Sequence, residues 1–75
     1  MRLLLVEDNA RLASLVREGL DRQGFAVDWC ETVEGADHAL RIASYDLALV
    51  DLGLPDGDGL ELVRRMRRAG DGTPI

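Results

Sequence analysis

The sequence contains no lysine: its nine basic residues are all arginine, set against 14 acidic ones, for a net charge of −5. An acidic balance of this size argues against the basic face that binding to nucleic acid or an anionic membrane surface would require. Cysteine is nearly missing too, and the lone Cys30 has no internal disulfide partner. A reducing, cytoplasmic setting is therefore the expectation. No apolar run approaches the length of a membrane span, and the stretch behind Arg2 is too short for an export signal. Aromatics make up only 4% of the chain. At 75 residues the chain supports one small domain. A domain of that size buries only about 60% of the surface that its unfolded form exposes.

What is present is a regular change of period. Leu3 to Val6 is a continuous apolar run, short enough for a strand covered on both faces. Over residues 9–23 the apolar positions Leu12, Leu15, Val16, Gly19 and Leu20 recur at helical spacing, and Gly24 ends the helix. "FAVDWC" alternates, with Phe25, Val27 and Trp29 on one side, as in an edge strand. Thr32 is a fair N-cap for a second helix whose inner face is Val33, Ala36, Leu40 and Ala43. "DLALVD" reads as a third, fully apolar strand. Asp58 then caps a third helix, paired with Glu61 in a capping-box pattern. In that helix Leu60, Val63 and Met66 are expected to face inward, and Gly70 to close it. The order βαβαβα implies an α/β fold with a parallel, right-handed, doubly wound sheet.

Two of these strands end in acid. Glu7 and Asp8 follow the first, and Asp51 follows the third. In open α/β sheets, ligands bind at the carboxyl ends of strands. If the two strands are neighbours, three carboxylates converge, a set suited to a hard divalent cation such as magnesium. Gly53, with no Cβ, would allow a backbone carbonyl to join them. Pro55 favours extended geometry at Leu54, and Asp56-Gly57 is a turn pair. A carboxylate beside magnesium can also attack a phosphoryl group, which gives Asp51 a second role.

Other readings are weaker. A dinucleotide-binding fold needs glycines after the first strand, where Glu7-Asp8 would repel a pyrophosphate. No register of "DGDG" supplies the central glycine and terminal glutamate of a calcium loop. A dehalogenase-type phosphotransferase carries a second aspartate where Gly53 stands. Asp56 and Asp58 read as turn and cap residues, and His38 as a solvated surface residue. Trp29 reads as packing and Cys30 as a plain thiol. Arg64, Arg65, Arg67 and Arg68 read as a solvated helix face.

"LLLVEDN", "GFAVD", "YDLALVDLGLPDGDGLELVRRMR" and "GTPI" together resemble the receiver domain of bacterial two-component response regulators, specifically the OmpR-like, winged-helix transcription regulators. The likeness spans essentially the whole chain. It implies a flavodoxin-like fold with strand order 2-1-3 and makes Asp51 the phosphoacceptor rather than part of an enzyme. Glu7 and Asp8 become its acidic pair, with magnesium held by Asp8, Asp51 and the Gly53 carbonyl. A sensor histidine kinase would be the phosphodonor, and DNA the target of the parent protein rather than of this segment.

The chain departs from that family pattern in one respect. A complete receiver continues through a fourth strand ending in Ser or Thr and a fifth ending in Lys, and neither is present here. Residues 1–75 are therefore expected to be the N-terminal part of a single receiver domain. The third strand would then lie open at the sheet edge and favour a homodimer. The competing expectation is a self-associating fragment that keeps the acidic site without signalling.

Overall fold

The computed structural model describes residues 1–75. The chain runs through β1 (Arg2–Val6), α1 (Ala10–Arg22), β2 (Ala26–Cys30), α2 (Val33–Ile42) and β3 (Leu47–Val50). The pair β4 (Gly53–Leu54) and β5 (Gly57–Asp58) and the helix α3 (Gly59–Arg68) complete it. The first three strands form a parallel sheet in the order β2-β1-β3.

β1 is apolar from Leu3 to Val6 because it is central. Leu4 and Val6 enter a core shared with Val33 and Ala36 of α2 and with Leu62 and Met66 of α3. Leu3 and Leu5 face the other way, toward Ala13 of α1 and Val27 of β2. The alternation in β2 is realised as expected, with Phe25, Val27 and Trp29 on the α1 side and Cys30 on the other. The sheet thus separates one helix from two.

Local signals fix the helix ends. Thr32 accepts from the Gly35 amide at 2.9 Å and Asp58 from the Leu60 amide at 2.9 Å, so both expected caps form. Gly24 and Gly70 follow their helices at φ +89° and +78°, a backbone region that L side chains rarely adopt.

Several expectations need correction, among them Ala43, which lies just past α2 as its extended C-cap rather than on its inner face. In α1 the buried flank is Ala13, with Val16 and Leu20 beside it, whereas Leu12 and Leu15 are 47% and 62% exposed. The apolar stripe is wider than the area the sheet covers, and the small Ala13 side lies against it. In α3 the inward face is Gly59, Leu62 and Met66, and Leu60 is 46% exposed. Glu61 lies within 4 Å of Arg64, Arg65 and Arg68 rather than completing a capping box. Charge attraction along the helix face wins over the reach back to the cap.

A further correction concerns the loop after β3, where residues 53–58 close a small antiparallel hairpin with Pro55 and Asp56 at its tip. Proline at the second turn position and glycine at the fourth suit such a turn. β3 itself is shorter than "DLALVD" implied. Its outer edge is partly occupied, since the Ala48 amide donates to the Pro74 carbonyl at 2.8 Å.

Candidate functional site

Glu7 and Asp51 emerge side by side because Val6 pairs with Val50 at the end of the β1–β3 ladder. The Asp51 amide extends that ladder by donating to the Val6 carbonyl at 2.9 Å. On the other side, the Glu7 amide donates to the Cys30 carbonyl at 3.0 Å. Asp8 follows directly, and Asn9 caps α1 by accepting from the Leu12 amide at 3.1 Å. The expected convergence is realised. One carboxylate oxygen from each of Glu7, Asp8 and Asp51 lies within 4.8 Å of the others. Asp8 is exposed, while Glu7 and Asp51 are half-buried.

The Glu7 carboxyl is held above its ordinary value, first by burial and then by the negative charges of Asp51 and Asp8. The Asn9 amide, which donates to it, pulls the other way. A raised carboxyl favours the protonated folded state, so its penalty is absent in acid and grows as the pH rises past the usual glutamate range. The metal-free Glu7→Gln chain is accordingly expected to melt above the parent at neutral pH. The gap should close in acid, where Glu7 is protonated in both the folded and unfolded states. Thermal melts at about pH 7 and about pH 3 check this, and equal neutral midpoints would remove the penalty.

Gly53 stands two residues beyond Asp51 and donates its amide to Asp51 Oδ1 at 3.3 Å. A Cβ there would meet no protein atom within 4 Å. Gly59 is the residue that needs to lack a side chain. A Cβ on it would fall 2.2 Å from the Asp51 carbonyl oxygen and 2.9 Å from Val50 Cγ1. Glycine at the first position of a helix, where it is a poor helix former, was the available signal.

Two further residues support the site through distant partners. Asp56, expected only as a turn residue, accepts from the Val33 amide at 2.8 Å and the Glu34 amide at 3.0 Å. It thereby caps the start of α2 from the hairpin, and these two amides hold its carboxyl below the usual range. Trp29 donates its indole N–H to the Glu7 carbonyl at 2.8 Å. Neither partner is near in sequence, so no local pattern announces them. His38 is exposed on α2, and Asp58 is occupied as a cap. Arg67 donates to the carbonyls of Asp71 and Thr73.

A family model described as the response regulator receiver domain matches residues 3–75. The transcriptional regulatory protein TctD of Salmonella typhimurium is 45% identical over 75 residues, which is all of this chain and 34% of that protein. The chain thus spans about a third of the length of that relative. Among solved structures, the non-phosphorylated HemR receiver domain from Leptospira biflexa superposes with a TM-score of 0.90 at 34% identity. That superposition covers 97% of this chain and 59% of the other. The response regulator TrrA from Thermotoga maritima, solved in complex with magnesium and beryllium fluoride, gives 0.87 at 31% identity, covering 91% and 59%. No helix of the chain is long and apolar enough to cross a membrane.

Proposed function

The chain belongs to the response regulator receiver domain family of two-component systems, and on that premise we propose that Asp51 is its phosphoacceptor. The observation that carries this reading is the meeting of Glu7, Asp8 and Asp51 at the carboxyl ends of adjacent strands. The donor set fits a magnesium ion, being all hard oxygen, with a carboxylate oxygen from each of three acids within 4.8 Å of the others. Asp8, Asp51 and the Gly53 carbonyl would hold it, with Glu7 completing the acidic pair. When bound, magnesium supplies positive charge against the carboxylates and the oxygens of the transferring group.

The remaining chemistry belongs to the chain. The Gly53 amide holds Asp51 Oδ1, which leaves Oδ2 to attack the phosphorus of a phosphohistidine on a sensor histidine kinase. The O–P bond forms as the P–N bond breaks, and the imidazole nitrogen keeps the electron pair and takes up a proton. In a longer regulator of the TctD kind, the resulting aspartyl phosphate would control a DNA-binding unit in the cytoplasm. With its net charge of −5, this segment is not assigned the DNA contact in this reading.

Incubating the chain with magnesium and a small acyl phosphate, then weighing it intact, tests the assignment. One added phosphoryl group is expected, dependent on magnesium and located at Asp51. No adduct at saturating donor, or an adduct elsewhere, would overturn it.

Self-association belongs to the same reading. Leu12, Leu15 and Leu49 are exposed, and beyond the bond to Pro74 the outer edge of β3 carries no further strand. A second copy sealing that edge would pair its free backbone groups and cover Leu49 of β3. Sedimentation is expected to show a dimer at high concentration, and a monomer throughout would refute it.

A further inference from the structure

We propose that Trp29 is a positioning residue for the acidic cluster, its indole N–H fixing the Glu7 peptide and hence the loop that offers Glu7 and Asp8 to a divalent cation. The inference rests on the site reading above and assigns a role to a residue outside the carboxylates.

The geometry ties Glu7 down from both sides of its backbone. Its amide donates to the Cys30 carbonyl at 3.0 Å, and its carbonyl accepts from Trp29 Nε1 at 2.8 Å. Both tethers lead to β2. Downstream, the Asn9 amide donates to Glu7 Oε1 at 3.2 Å while the Asn9 side chain caps α1. Asp8 lies between these two anchored neighbours and is held through them. The indole itself is fixed by packing against the cluster of Leu3, Leu5, Ala13 and Val27.

The choice of acceptor matters. A donor aimed at a carboxylate would compete with the cation for its lone pairs, whereas this one goes to a backbone carbonyl and leaves the carboxylates free. In the metal-free chain one carboxylate oxygen from each of the three acids lies within 4.8 Å of the others, and like charges that close repel. A loop free to rotate at Glu7 would relax by moving them apart. Holding that peptide in place lowers the ordering cost that cation binding must meet.

Magnesium titration by calorimetry on the 75-residue chain tests the role. Trp29→Phe keeps a ring in the cluster and removes the donor, and its affinity is expected to fall about fivefold, the size of one net hydrogen bond. A synthetic chain with benzothienylalanine at position 29 keeps the bicyclic shape without the N–H, and the same fall is expected. Gly24→Ala strains the positive-φ turn before β2, at the end of the sheet opposite the acids, and lowers the unfolding midpoint, yet is expected to leave magnesium affinity unchanged, so general loss of stability is separated from positioning. In the metal-free parent the single indole N–H resonance is expected to exchange slowly with solvent. Parent-like magnesium affinity in either Trp29 variant would overturn the proposal. Parent-like affinity in Asp8→Asn is a different result, and would overturn the site assignment on which the proposal stands.

Discussion

Gly59→Ala is expected to destabilise the chain by about 3 kcal/mol and to displace Asp51, although alanine is the better helix former. The added Cβ would fall 2.2 Å from the Asp51 carbonyl oxygen, 3.0 Å from its carbonyl carbon and 2.9 Å from Val50 Cγ1. Two of these are backbone atoms that cannot turn aside. α3 would have to back away, and its first turn carries the Gly59 amide bond to the Leu52 carbonyl at 3.1 Å. The same movement would loosen Leu62 and Met66 in the core against β1. A domain of this length has only about 4–11 kcal/mol of stability to lose. Gly19→Ala is the matched control, because a Cβ there meets nothing within 4 Å in the middle of α1. That substitution is expected to stabilise by about 0.5–1 kcal/mol. Urea unfolding of both variants decides the matter, and a Gly59→Ala midpoint at or above the parent's would show that the helix does not bear on Asp51 as described.

Asp51→Asn is expected to abolish acyl-phosphate labelling while leaving the fold intact. Asparagine keeps the size of the side chain and an oxygen that can accept from the Gly53 amide, which now meets Asp51 Oδ1 at 3.3 Å. It loses the charge and the nucleophile. The metal-free variant should melt no lower than the parent, since one of three mutually repelling carboxylates is gone. The Glu7 carboxyl should move back toward its ordinary value, though not fully, because burial is the larger cause of its elevation. Asp58→Asn tests whether any nearby acid would serve. Asp58 is engaged as the cap of α3, and its replacement is expected to keep the label. Intact mass measured after equal exposure to donor separates these cases, and a labelled Asp51→Asn chain would end the phosphoacceptor assignment.

Much of this was written locally. The short apolar runs, the helical spacing and the caps at Thr32, Asp58, Gly24 and Gly70 marked the main elements, because each signal acts within one turn of chain. The acids at the strand tips could be read for the same reason, once the strand order set β1 beside β3. The small hairpin was missed because two-residue strands carry no periodicity.

The sequence by itself determined which segments become strands and helices, where most of them stop, and that Glu7, Asp8 and Asp51 lie at strand ends. Only the tertiary structure decided which side of α1 and α3 is buried, since an apolar stripe wider than its contact leaves the helix free to settle at more than one rotation. It also decided that Gly59 must lack a side chain, that Asp56 caps a helix 23 residues before it, and that Trp29 anchors Glu7. The Asp56 and Trp29 contacts join residues 22 or 23 apart, and the Gly59 contact forms only where the loop after β3 folds back on Asp51. Their geometry exists only after the sheet has assembled, so no neighbouring residue could have encoded it.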